Sequence, residues 1–281
     1  MTDLINDYER HLRRLDRSPN TIKFYIRVLR QADQDLPCGL ASANTEELED
    51  WLFTPSPHRR GGPRRGKTTR SHYVRILKGW GKWSVDPKTP ERIRRNFDAT
   101  ADLPDIKPAK TKPRPTREEI LATLTRQVPA PWLAWILLGA YGGLRCCEIS
   151  RLDRSDVTED RIWLHGKGDK ERYVPTHPLI WEAIKELPAG PVAVDRDGVT
   201  RLTEDQVSHR GNHQIRRAVG AGITSMHKLR HRFATRAFDA TQDVFAVQEL
   251  VGHADANMTR RYVEVNRDRM QAAVASLPVA V

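Results

Sequence analysis

Pro131-Trp132-Leu133-Ala134-Trp135-Ile136-Leu137-Leu138-Gly139-Ala140-Tyr141-Gly142-Gly143 is the stretch from which the fold of this chain is read. The run from Pro131 to Tyr141 is almost wholly apolar, far shorter than the roughly 20 residues that cross a bilayer, and two glycines stop it. A helix buried on all sides is predicted, and such a helix needs a domain built around it. On its N-terminal side Thr116 and Glu119 have the spacing of a capping box for a helix that carries Ile120, Leu121 and Leu124. On its C-terminal side Arg145 opens a segment anchored by Ile149 and Leu152. Residues 161–165 and 171–175 alternate like strands, and Gly166-Lys167-Gly168-Asp169-Lys170 joins them as a hairpin. Helical patterning returns from Thr203 and runs through His213–Val219, His227–Phe238 and Asp243–Val251.

The first hundred residues read as a separate helical domain. Leu4, Tyr8, Leu12 and Leu15 form one apolar stripe, and Ile22, Tyr25, Ile26 and Leu29 form a second behind a Ser18-Pro19 helix start. Asn44 and Glu47 open a third helix through Leu48, Trp51 and Leu52, while Tyr73, Ile76, Leu77 and Trp80 give the face of a fourth. Residues 101–115 carry Pro104, Pro108, Pro113 and Pro115 among Lys107, Lys110, Lys112 and Arg114, a composition of extended linker. The expected organisation is thus 1–100 helical, 101–115 basic linker and 116–281 a second domain, mainly α with a small antiparallel sheet. No internal repeat is evident.

The chain has 281 residues, 38% of them hydrophobic, and a formal net charge of +11, which supports buried cores and an anionic partner. Between Trp51 and Val85 there is no acidic residue, yet Arg59, Arg60, Arg64, Arg65, Lys67, Arg70, Arg75, Lys78 and Lys82 all fall there. The first seven are the predicted DNA-binding residues, with a solvated basic loop as the alternative. The N-terminus lacks the features of a signal peptide. Three cysteines, Cys146 and Cys147 adjacent, argue against a disulfide framework. A cytoplasmic, nucleoid-associated protein with no membrane partner is expected.

Gly142-Gly143-Leu144-Arg145-Cys146-Cys147-Glu148-Ile149, Gly166-Lys167-Gly168-Asp169-Lys170-Glu171-Arg172, His227-Lys228-Leu229-Arg230-His231, and Leu250-Val251-Gly252-His253 leading to Tyr262 resemble, in order and spacing, the motifs of the tyrosine recombinase and phage integrase family. Each alone is weak; together they are specific over roughly residues 140 to 265, and Ser18 to Leu29 looks like the start of the family's core-binding domain. Cys146-Cys147 and Val251 depart from the usual pattern, and neither touches an inferred catalytic group. The resemblance implies a two-domain, C-shaped clamp on DNA: a helical, SAM-like core-binding domain and a catalytic domain with a C-terminal docking tail, Arg267 to Val281. The chain opens directly on the core-binding helices, so a Xer-like member without an arm-binding domain is expected.

The resemblance also implies roles. A phosphodiester under attack gathers negative charge that fixed guanidinium and imidazole donors stabilise. Arg145 and Arg230 match the family's two arginines, whose planar forks suit the non-bridging oxygens; an ion pair with Glu148 is the competing use of Arg145. His227 lies one helical turn before Arg230, and His253 matches the position that hydrogen-bonds phosphate or nucleophile. Lys167 matches the general acid for the departing 5′ oxygen, with Lys170 the rival. Tyr262, nine residues after His253 in a basic setting, matches the nucleophile that forms a 3′-phosphotyrosyl link. His227 and His231 have ligand spacing on a helix, but no third ligand is apparent, and neither metal nor cofactor is expected. The implied partners are double-stranded target sites, three further copies in a synaptic homotetramer, and an accessory DNA-bending or directionality factor. A type IB topoisomerase or transposase, and a DNA-binding regulator on the same scaffold, are the competing functions; nothing supports a thiol nucleophile at Cys146.

Overall fold

The computed structural model describes residues 2–54, 65–109, 114–165 and 171–252. The chain divides into two compact units, 1–111 and 112–281.

Among the described residues of the first unit four helices enclose one apolar core: α1 Thr2–Arg14, α2 Pro19–Asp35, α3 Thr45–Phe53 and α4 Lys67–Val85. Their starts follow the sequence. The Ser18 side chain accepts from the Thr21 N–H with Pro19 in the first turn of α2, and Asn44 and Glu47 form a reciprocal box on α3. The apolar stripe of α1 is shifted from the expected one. Ile5, Tyr8 and Leu12 are buried, whereas Leu15 lies beyond the helix and is exposed.

The second unit is mainly helical with a two-stranded antiparallel sheet, as expected. It comprises α5 Glu118–Gln127, α6 Trp132–Tyr141, α7 Cys146–Arg151, β1 Arg161–His165, β2 Glu171–Pro175, α8 Pro178–Ile184, α9 Glu204–Val219, α10 Met226–Thr241 and α11 Val244–Val251. The predicted buried helix is α6. Every residue from Ala134 to Ala140 is buried, with α5, α7, α8, α9 and α10 packed around it. The strands pair with Ile162 opposite Val174 and Leu164 opposite Arg172, and Ile162, Leu164 and Val174 face the core. Helix α8, which begins with His177 capping Leu179, has no counterpart in the sequence reading.

One predicted cap is corrected. Helix α5 begins at Glu118 without a side-chain cap, because Thr116 is buried and hydrogen-bonded to the hydroxyl of Thr224. The carboxylate that matters there is Glu118. It accepts from Arg232 at 2.7 Å and Arg236 at 2.9 Å, tying α5 to α10. Burial of Arg232 beneath this ion pair, with Nη1 on the Ala140 carbonyl, fixes α10 against the end of α6.

Candidate active site

The turn after α6 builds one side of the site. Gly143 has φ +66°, and a Cβ there would lie 2.3 Å from Cδ1 of Phe233, so only glycine fits. The chain then reverses into Arg145, which caps α7 and whose own N–H donates to Glu148 Oε2 at 2.7 Å. One turn in from the cap, Glu148 is buried beneath it.

Glu148 organises the cluster. Its Oε1 accepts from Arg145 Nη1 and from Arg172 Nη1, both at 2.9 Å, and Arg230 Nη1 lies 3.6 Å from Oε2. Burial pushes the Glu148 carboxyl upward, but the Arg172 hydrogen bond and charge, the Arg145 N–H and Arg230 outweigh it and hold the pKa below its ordinary value. Arg230 is 3% exposed and donates to the carbonyls of Gly143 and Val251. Arg145, 36% exposed, donates to the Gly252 carbonyl at 3.0 Å. Two guanidinia thus hold the turn at the end of α11, where Gly252 has φ +61° and the chain continues to His253.

His227 and Arg230 both belong to α10, one turn apart. The His227 ring sits edge-on to His231 with centroids 4.2 Å apart and keeps a face open to solvent. Packing around it and then the charges of Arg230 and Arg145 lower its pKa, so it is neutral near pH 7. Among the described residues no group of three metal-ligating side chains comes together.

The structure therefore brings Arg145 and Arg230 around one carboxylate with His227 beside them. Lys167, Lys170, His253, Tyr262 and the tail 267–281 lie outside the described residues. The weighed ion pair between Arg145 and Glu148 exists, but it is internal to the cluster rather than on the open surface. Sequence reasoning gave Glu148 no role of its own and Arg172 none; their place inside two of the quoted motifs was the available signal. The thiol of Cys146 is pushed up to about 11 by burial, which keeps it protonated and fits packing rather than nucleophilic use.

The predicted DNA-binding residues of the first unit divide. Arg59, Arg60 and Arg64 lie outside the described residues, while Lys67 and Arg75 are exposed on α4. Arg70 rests over the Phe53 ring at 4.5 Å. The assignment of Arg65 to phosphate is corrected. Its side chain is 8% exposed, 3.5 Å from Asp35 and 4.3 Å over the Trp51 ring, and it donates to the carbonyls of Trp51 and Thr54. A second basic face was missed. Lys23, Arg27 and Arg30, spaced i, i+4, i+7 opposite the buried stripe of α2, line a hollow of about 1240 Å³ together with Arg13 and Arg17, with the acids Glu9 and Asp16 also in its wall.

Residues 116–269 match the phage integrase family. Similar proteins include the tyrosine recombinase XerC of Neisseria meningitidis serogroup C (strain 053442), 32% identical over 73% of this chain and 72% of the relative. The XerC of N. meningitidis serogroup B (strain MC58) is 29% identical over 95% of this chain and 92% of its own. Among solved structures, a lambda integrase dimer bound to a COC′ core site superposes with TM-score 0.71 at 17% identity, covering 95% of this chain and 80% of that one. The XerH recombinase bound to palindromic difH substrate gives 0.64 at 20% identity, covering 91% and 79%. These two likenesses are of fold. The chain belongs to the phage integrase family of tyrosine recombinases, enzymes that cut and rejoin DNA at specific sites.

Proposed function

We propose that Tyr262 attacks a scissile phosphate in a duplex target site, giving a 3′-phosphotyrosyl link and a free 5′ hydroxyl, and that the partner strand's 5′ hydroxyl reverses the reaction to exchange strands. The covalent link conserves the phosphodiester energy, so no cofactor is required. Arg145 and Arg230 hold the non-bridging oxygens, His227 and His253 assist at the phosphate and the phenol, and Lys167 protonates the departing oxygen. The observation that carries this reading is the convergence of Arg145 and Arg230 on Glu148 at the turn that leads to His253.

The first unit supplies the core-binding domain and 116–281 the catalytic domain, joined through the linker 101–115. Duplex DNA meets the exposed cations of α2 and α4 in the first unit, which supply sequence-independent affinity. A homotetramer on paired sites, with the segment Arg267 to Val281 docked on a neighbouring copy, is the working assembly. The lambda integrase tetramer bound to a Holliday junction supports that reading by likeness of fold. The compartment that follows is the cytoplasm, at the nucleoid, and any accessory DNA-bending factor acts on the assembly and not on the chemistry.

The test is incubation of wild-type and Tyr262→Phe protein with nicked duplexes covering the DNA that flanks its own gene. An SDS-resistant protein–DNA adduct with wild type alone is expected. Specific binding by both proteins without an adduct would replace this reading with that of a DNA-binding regulator.

A further inference from the structure

Arg172 enters the cluster from β2, the strand that follows the segment 166–170 containing Lys167. Its side chain is only 14% exposed, and among the described residues its ion pair is Nη1 on Glu148 Oε1, an oxygen already used by Arg145. Nε and Nη2 are buried with no hydrogen-bond acceptor among the described residues. A buried donor left unpaired costs about 1–3 kcal/mol, more when charged. Two on one guanidinium call for an acceptor that arrives from outside.

The surroundings say where it arrives. A Cβ on Gly252 would stand 2.7 Å from Arg172 Nη1 and 2.8 Å from Cζ, so this guanidinium lies directly against the turn whose carbonyl Arg145 grips. Arg172 and Arg145 therefore meet twice, at the Glu148 carboxylate and at Gly252. Among the described residues, three guanidinium charges less one carboxylate leave the cluster with two positive charges. A phosphodiester carries one negative charge. The pentacoordinate state reached when a phenolate oxygen adds carries two, before the bond to the 5′ oxygen breaks and that oxygen takes a proton. Charge placed in advance where charge develops lowers the barrier instead of merely tightening binding.

We propose that Arg172 is a third arginine of the phosphate site, its Nε and Nη2 taking a non-bridging oxygen of the scissile phosphate and its charge opposing the negative charge that develops there on attack. The proposal rests on the recombinase reading above. It differs from a packing role because it makes Arg172 sensitive to the charge of the substrate.

The experiment measures single-turnover adduct formation on a nicked duplex carrying either the natural scissile phosphate or a neutral methylphosphonate in its place. The proteins are wild type, Arg172→Ala and Arg172→Lys, each with its thermal unfolding midpoint and its affinity for the same duplex. On phosphate, Arg172→Ala is expected to lose roughly 10²-fold in rate, in the range for removal of one transition-state donor, with affinity within about two-fold of wild type. Arg172→Lys, which keeps the charge and loses the fork, is expected to fall between them. On methylphosphonate the gap between wild type and Arg172→Ala should shrink to within about five-fold, because the pentacoordinate state then carries one negative charge instead of two and Arg145 and Arg230 suffice to oppose it. An equal loss on both substrates, no loss on either, or unfolding of both variants would overturn the proposal. Wild type without an adduct on phosphate would instead remove the recombinase reading itself, so the two failures are distinguishable.

Discussion

Arg65 in the first unit and the arginines around Glu148 in the second are both largely withdrawn from solvent, and they differ in what accompanies them. Arg65 has one acid, Asp35, whose Oδ2 also accepts from the Trp51 indole N–H, together with the ring of Trp51 and two backbone carbonyls. It ties the start of α4 to the end of α3. Around Glu148 one carboxylate serves Arg145, Arg172 and Arg230. A buried cation matched by its own acid and carbonyls fastens structure; buried cations in excess of their acids prepare a place for an anion. The difference teaches that arginine content alone does not locate a phosphate site, whereas the ratio of guanidinium to carboxylate does.

Removing the acid from each cluster breaks the comparison most severely. Glu148→Gln leaves three guanidinia with no counter-charge and should cost about 3–5 kcal/mol, the usual effect of breaking a buried ion pair. Asp35→Asn leaves Arg65 its carbonyls and ring and should cost less, about 1–3 kcal/mol. Urea unfolding of both variants measures the pair, and equal losses would deny the distinction. Added sulfate should recover part of the Glu148→Gln loss and none of the Asp35→Asn loss. The Glu148 carboxyl is held below its ordinary value. Its contribution is therefore complete above pH 4.5 and lost as pH falls through the lower folded value, so Glu148→Gln should flatten acid unfolding in that window.

Gly252→Ala tests the same cluster from its backbone side. Left-handed φ costs an alanine roughly 1–2 kcal/mol, and the new Cβ must displace the Arg172 guanidinium. Stability should fall by about that amount while adduct formation falls further than stability alone explains. A loss confined to stability would show that the turn and the chemistry are independent. Exposed cations should behave in the opposite way. Arg27→Ala and Arg30→Ala should weaken DNA binding uniformly across sequences and reduce the slope of log affinity against log salt by roughly 0.9 for each phosphate that is no longer neutralised, while the cleavage rate at saturating DNA stays unchanged.

Most of the fold was legible because local chemistry and burial agree. Ser18-Pro19, Asn44 with Glu47, and the apolar run 131–141 each specify an element without help from distant residues. The capping box at Thr116 failed because a distant residue, Thr224, took the hydroxyl and burial removed it from the helix end. Helix α8 escaped because a short segment with Leu179 exposed has no clean period. At the site, Arg145, His227 and Arg230 were legible as motif positions. Their dependence on Glu148 was not, since whether that acid turns inward is decided by the packing of α7 against α6 and α9. Arg65 misled for the converse reason: a basic run reports composition, and nothing in the run says that Asp35, far upstream, holds one of its members.

The smallest effect separates two histidines. His11 in the first unit lies beside the paired rings of Tyr8 and Trp83, and burial followed by Arg14 lowers its pKa. His227 is also lowered, by packing and then by Arg230 and Arg145. In both cases the unfolded chain protonates first as pH falls, so the stability each neutral ring contributes is complete above pH 6.5 and declines below it. Solvent reaches the His227 ring, so its share amounts to only a few tenths of a kcal/mol. His11→Gln and His227→Gln should both flatten stability slightly as pH falls below 6.5. Only His227→Gln should also remove the acid limb of adduct formation, because a neutral imidazole beside two guanidinia can accept a proton from the attacking phenol and a protonated one cannot. Survival of that limb in His227→Gln would assign the acceptor to another group and leave His227 a donor to phosphate alone.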